Sequence, residues 1–134
     1  MEIKVSKENG RVSVTVVHVD GNIDSSNFGT FEAKVDELID SGSRYILMDF
    51  SHVPYISSAG LRVINKVYNR LRSLHPDIEL NDDEVKDGIR TGTYKSPHLK
   101  LLNLSELAKG SFELSGFDMF LETFTNLKTA VASF

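Results

Sequence analysis

Two serines, Ser57 and Ser58, stand between an apolar run and an amphipathic one, in the stretch Tyr45-Ile-Leu-Met-Asp-Phe-Ser-His-Val-Pro-Tyr-Ile-Ser-Ser-Ala-Gly-Leu-Arg62. A hydroxyl at such a junction has two chemistries open to it. It can cap the helix that follows by accepting a hydrogen bond from a backbone amide. Exposed just after a core strand, it can also take a phosphoryl group from a kinase and so change what a partner meets. Two carboxylates lie in comparable places. Asp49 ends the apolar run, where a hydrogen bond to the following amides of the loop is expected. Asp24 follows the break Asp20-Gly21-Asn22. It either caps the next helix or, if the two loops share one edge of a sheet, orients the acceptor hydroxyl or helps repel a bound phosphate.

Other site chemistries find little support. Ile56-Ser57-Ser58-Ala59-Gly60 lacks the glycine two residues before serine that a nucleophile elbow uses. His18, His52, His75 and His98 are scattered, and no Ser/His/Asp assignment is compelling. Their spacing is not that of a zinc site, and no glycine-rich phosphate cradle is present. No cofactor or metal is therefore expected. Phe28, Phe31, Tyr68 and Phe112 sit at helical spacing and read as core, not as a base-stacking platform.

The elements that must position the serines alternate between strand and helix. Glu2 to Val5 is a short edge strand, and Glu8-Asn9-Gly10 a turn. Arg11 to Val19 alternates through Val12, Val14 and Val16 as a half-buried strand does. Ser25-Ser26-Asn27 offers N-caps for a first helix, whose apolar face is Phe28, Phe31, Val35 and Leu38. Tyr45 to Phe50 reads as a central strand covered on both faces. Gly60, Ile64, Val67, Leu71 and Leu74 form the stripe of a second helix, stopped by His75-Pro76. Arg62, Lys66, Arg70 and Arg72 give that helix a cationic surface with no acid of its own. Such a surface can be plain solvated face, part of a partner surface, or the dock for an acidic crossing segment. That segment, Pro76 to Pro97, is expected to be an irregular excursion or a docking element. His98 to Leu104 is a strand, Ser105 to Ser115 a short helix, Met119-Phe120-Leu121 a last strand and Thr125 to Ala132 a terminal helix. The order predicts an α/β layer fold.

The 134 residues are 40% hydrophobic and 25% charged, values of a soluble globular protein, and one domain, 1–134, is expected. A net charge of −4 argues against direct nucleic-acid binding. No apolar run approaches the ~20 residues needed to span a bilayer, so no membrane insertion is expected. The absence of cysteine suits a reducing cytoplasm. The first residues read as strand, not as a signal peptide.

The order of residues resembles the STAS family, the anti-sigma-factor antagonists and their relatives. That family places Asp-x-Ser after a hydrophobic strand, then a small-residue cluster with a phosphorylatable Ser, Gly-Leu and a helix. The corresponding residues are Asp49-Phe50-Ser51 and Ile56-Ser57-Ser58-Ala59-Gly60-Leu61. Asp20-Gly21-Asn22-Ile23-Asp24 and the segment from Ser105 to Phe117 also match family features. Two differences stand out. Ser57 occupies a position where many members carry Asp, and the acidic stretch at about 76–97 replaces a short crossing.

The resemblance implies a small mixed β-sheet with helices packed on it, and no enzymatic activity. It implies Ser58 as phosphoacceptor, with Ser57 as the alternative. It also implies a bacterial, cytoplasmic regulator of transcription. Its partners would be an anti-sigma factor with serine kinase activity and a serine phosphatase, met through Asp24, Ser57, Ser58, Arg62 and Lys66. Two other readings remain at this point: a STAS-type scaffold or transport-accessory subunit, and a sensor of a small ligand or nucleotide at the Asp24–Ser58 edge.

Overall fold

Valine alternation dictates the first half of the sheet. Val17 and Val19 face one way and Val14 and Val16 the other, along a strand at Ser13–Asp20 (β2). It pairs antiparallel with Glu2–Asn9 (β1), from Glu2 opposite Asp20 to Asn9 opposite Ser13. Both strands are displaced from expectation: β1 runs four residues further, and β2 begins two residues later because residues 10–12 make the turn. The computed structural model describes residues 1–74, 81–92 and 94–134. The helix stop at His75-Pro76 and the start of the acidic stretch therefore lie outside the described residues.

The sheet has five strands in the order β1-β2-β3-β4-β5, with β3 at Ile46–His52, β4 at Leu99–Leu102 and β5 at Thr123–Phe124. β2 to β5 are parallel, so the sheet is mixed. One face carries the helices Phe28–Asp40 (α1) and Ser58–Ser73 (α2). Phe31, Val35 and Ile39 of α1 and Val63, Ile64 and Val67 of α2 join Met48, Phe50 and Leu101 in one core. The apolar face of α1 is thus rotated from the expected one. Phe28 is exposed at the helix start and Ile39 takes a place in the core. The α2 stripe is wider than expected at Tyr68, while Leu74 is exposed. The opposite face packs Val14, Val16, Leu47 and Leu102 under Ala130 and Val131 of the terminal helix Leu127–Ala132 (α5), capped by Asn126.

Within the acidic stretch, Asp82–Thr91 is a docked helix (α3), not an irregular excursion. The reason is local. Asn81 and Glu84 form a reciprocal capping box, and Asp82, Asp83 and Glu84 lie at the positive end of the helix dipole. Gly92 ends the helix in the left-handed region at φ 78°. Val85 and Gly88 are buried, and the Tyr68 hydroxyl donates to that of Tyr94 at 3.1 Å behind them. Glu106–Ser115 (α4) follows β4, with Ser105 as its cap. The strand expected at Met119-Phe120-Leu121 does not form there: Phe117–Met119 is a 3-10 turn, and the last strand lies a few residues later at β5.

Candidate functional site

Parallel strands put the β2–α1 and β3–α2 loops at the same edge of the sheet, and backbone hydrogen bonds join them. Ile23 pairs with Ile56 in an isolated parallel bridge. The Ile23 amide donates to the Tyr55 carbonyl at 3.1 Å, and the Ser57 amide to the Ile23 carbonyl at 2.8 Å. The shared edge inferred for Asp24 and Ser58 is therefore present. Gly60 makes it possible, because a Cβ there would lie 2.7 Å from Ile23 Cγ2 and 2.8 Å from Ile56 Cγ2. Only a glycine lets the first turn of α2 sit this low on the two loops.

The two serines differ in what their hydroxyls meet. Ser57 is the N-cap, with extended backbone and Oγ accepting from the Gly60 amide at 3.4 Å. Ser58 is the first residue of α2 and exposed, and its hydroxyl has no hydrogen-bond partner among the described residues. Its amide is one of the four that an α-helix leaves without an intrahelical acceptor. The first turn of α2 holds no acid that would oppose an anion there. Arg62, one turn on, is exposed and makes no ion pair among the described residues.

Asp24 does not cap α1 through its carboxylate. The carboxylate accepts from the amide and hydroxyl of Ser26, and the Asp24 backbone carbonyl accepts from Phe28 N at 2.9 Å. The Ser26 hydroxyl, then the Ser26 amide, hold the Asp24 pKa below its ordinary value against a weaker opposing effect of burial. Asn27 holds the N-cap position but turns back, accepting from Asp24 N at 2.9 Å and donating to Asn22 O at 2.8 Å. These bonds tie the β2–α1 loop to itself over residues 22–28.

The α2 cations are less free than a solvated face would be. Lys66 pairs with Glu32 of α1 at 3.3 Å while remaining exposed. Arg70 bridges Asp40 and Asp36, which raise its pKa. Arg72 holds Asp82 of α3 at 2.8 Å. The acids thus come from neighbouring elements, which sequence spacing along α2 alone does not reveal. Of the cations named for the site, Arg62 stands nearest Ser58 in the helix, and Lys66 lies one turn beyond it.

Asp49 keeps its expected loop role and gains another. It accepts from the Ser51 amide at 3.0 Å and from the Ser51 hydroxyl, and its second oxygen meets His18 Nδ1 at 2.8 Å. Burial, the largest single influence, pushes the Asp49 carboxyl up. The bonds from Ser51 and His18 together outweigh it and leave the pKa below the ordinary value. His18 Nε2 lies 2.9 Å from Ser6 Oγ, so Ser6, His18 and Asp49 form a line across β1, β2 and β3. No sequence spacing pointed to it, because the three meet only through strand register. The order resembles a hydrolytic relay. However, Ser6 projects from the middle of a strand, not from the strand-to-helix turn that gathers amides around an oxyanion. A cavity of about 430 Å³ lies beside this line, bordered by Glu2, Lys4, Asp20 and His52 as well as His18 and Asp49. Asp24 and Ser58 are not part of that lining.

Among the described residues, no cluster of histidine and carboxylate side chains has the arrangement of a metal site, and no helix is long and apolar enough to cross a membrane. Comparison with known proteins agrees with the geometry. The family model described as STAS domain matches residues 4–80, which include both loops and the whole of α2. A protein of Bordetella bronchiseptica, BtrV, named as an anti-sigma factor antagonist, is 28% identical over 134 residues, covering 100% of this chain and 95% of BtrV. Two solved structures share the fold. A Thermotoga maritima protein named as an anti-sigma factor antagonist aligns with a TM-score of 0.71 at 17% identity, over 96% of this chain and 90% of its own. The Bacillus cell fate determinant SpoIIAA in its phosphorylated form aligns with a TM-score of 0.63 at 15% identity, over 97% and 96%.

Proposed function

Because the chain belongs to the STAS domain family, we propose that it is an anti-sigma-factor antagonist that works as a binding switch. The unmodified domain binds an anti-sigma factor with serine kinase activity. Phosphorylation of Ser58 by that partner releases it, and a serine phosphatase restores binding. The domain contributes no reaction of its own and acts in the bacterial cytoplasm on transcription. The single observation that carries this reading is the difference between the serines: Ser57 is spent on the cap, while Ser58 offers an exposed hydroxyl at the edge where the two loops are bridged. The whole-length likeness to BtrV supports it.

The energetics of a phosphate at this place favour a switch. It adds about −1.5 to −2 charge and three acceptor oxygens at neutral pH. At a helix N-terminus it meets free amides and the positive end of the dipole, a stabilisation of roughly 0.3–1 kcal/mol when exposed. Arg62 at i+4 adds about 0.5 kcal/mol or less as an exposed pair. The fold therefore carries the phosphate with little rearrangement. A partner packed on the bare hydroxyl must desolvate a dianion, at a cost of several kcal/mol where it finds no counter-charge. A loss of only ~3 kcal/mol weakens binding about a hundredfold.

The test is capture from lysate of the source organism, with wild type beside Ser58→Ala and Ser58→Asp, and phosphopeptide mapping after addition of ATP. The switch predicts capture of a kinase by wild type and Ser58→Ala, loss of capture by Ser58→Asp, and phosphate on Ser58 of wild type. Equal capture by all three forms would instead indicate a STAS-type scaffold.

A further inference from the structure

The Ser58 hydroxyl is placed by the β3–α2 loop, and that loop is held from two sides. On one side is the Ile23–Ile56 bridge already described. On the other is the β4–α4 loop, residues 103–105. Ser105 Oγ donates to the Pro54 carbonyl at 2.9 Å and at the same time accepts from the Ala108 amide at 3.1 Å. A hydroxyl has one proton and two lone pairs, so these two bonds use it as donor and as acceptor. Asn103 reaches the end of β3, just before that loop. Its side-chain amide donates to Ser51 Oγ at 3.0 Å, and that hydroxyl donates in turn to Asp49. Asn103 sits at φ 59°, the left-handed region that asparagine tolerates far better than most side chains. The conformation aims the amide back at β3 while its backbone N–H donates to Phe124 O of β5 at 2.8 Å.

We propose that Ser105 and Asn103 are positioning residues for Ser58: Ser105 clips the β3–α2 loop, and Asn103 the end of β3 that leads into it, to the end of β4, and together they fix where the acceptor hydroxyl stands. The functional half of this proposal rests on Ser58 being the phosphoacceptor; the clip itself does not. The clip lies beyond residues 4–80, so it ties the span that carries the serine to the part of the chain after it. Ser105 does more than cap α4, since capping needs only an acceptor and leaves the hydroxyl proton free for Pro54.

That division of labour makes the test clean. Ser105→Asp keeps an acceptor for the Ala108 amide and a good N-cap, but has no proton for Pro54 and sets a charge against its carbonyl. Ser105→Thr keeps both bonds. Asn103→Gly keeps the left-handed backbone and deletes only the amide. The first readout is amide hydrogen exchange over residues 53–60 and over α4. Ser105→Asp and Asn103→Gly should each speed exchange at Ser57, whose amide is bonded to Ile23, by about three- to tenfold, the effect of one lost hydrogen bond. Amides of α4 should stay as protected as in wild type, and Ser105→Thr should behave as wild type throughout.

The second readout is phosphorylation by source-organism lysate with ATP, followed by phosphopeptide mass spectrometry. Ser105→Asp should slow phosphate incorporation at Ser58 severalfold through the turnover rate more than through the protein concentration needed, and Ser105→Thr should restore it. Unchanged exchange at 53–60 in both clip variants would overturn the clip. Absence of phosphate on Ser58 in wild type would overturn the functional half and the proposed switch with it, while leaving the exchange result standing.

Discussion

Replacing Gly60 by alanine should destabilise the fold, although alanine is the better helix former. A Cβ at this position would meet Ile23 Cγ2 at 2.7 Å, Ile56 Cγ2 at 2.8 Å and Ile23 Cβ at 3.2 Å. Carbon atoms in comfortable contact lie roughly 3.5–4.0 Å apart, so both methyls must retreat by most of an ångström. Neither has an easy way out. Ile23 and Ile56 are fully buried, both are stiff at χ1, and the backbone of Ile23 is bonded to Tyr55 and Ser57 on either side of Ile56. Overpacking of this kind costs about 1–3 kcal/mol, and two β-branched neighbours put the cost in the upper half. The gain in helix propensity is about 1 kcal/mol. The net is a loss of about 1–2 kcal/mol. The control is Gly110→Ala on α4, where nothing lies within 4 Å of the added Cβ and the propensity gain of about 1 kcal/mol stands alone. Urea unfolding followed by circular dichroism should move the two midpoints in opposite directions, separated by about 2–3 kcal/mol. A Gly60→Ala variant as stable as wild type would refute the close approach of α2 to the two loops.

Other perturbations give equally specific outcomes. Ser57→Ala removes a long capping bond, so urea unfolding should show a loss of about 0.5–1 kcal/mol, while phosphopeptide mapping still finds phosphate on Ser58. The Asp49 pKa is lowered in the fold, so its contribution to stability is full above the unfolded-chain pKa of about 4 and is lost as pH falls through the lower folded value. Asp49→Asn should therefore lose stability relative to wild type at neutral pH, and the gap should narrow below about pH 4 in acid-unfolding curves. Val85→Ala should cost roughly 1–2 kcal/mol by opening a cavity under α3, with faster hydrogen exchange concentrated in Asp82–Thr91.

The parts of the fold legible in the sequence are those governed by local pattern. Valine alternation gives β2, the nearly unbroken apolar run at Tyr45–Phe50 gives β3, and a serine before an apolar-periodic segment gives the start of α2. That a serine of the pair caps α2 was legible, because a cap precedes the first helical residue, and Ser57 is the one that does. What sequence distance hides is what strand register and loop contact bring together. Arg70 and Arg72 look unpaired along α2 because their acids come from α1 and α3. Ser6, His18 and Asp49 are separated by 12 and 31 residues and meet only across three paired strands. The acidic stretch looks irregular by composition, yet Asn81 with Glu84 and a terminal Gly92 are sufficient helix signals in a segment whose charges distract from them. Asp24 misleads for a related reason, since its favoured place before a helix is satisfied by its backbone carbonyl while its carboxylate serves the turn.

The measurement closest to the central claim is the affinity of the captured, purified partner for this chain before and after stoichiometric phosphorylation at Ser58, by titration calorimetry. Wild type and Ser58→Ala should bind alike, and the phosphorylated chain at least about a hundredfold more weakly, with its melting temperature nearly unchanged because the phosphate sits at an exposed helix start. Equal affinity for the two forms, with Ser58 demonstrably phosphorylated, would contradict the account.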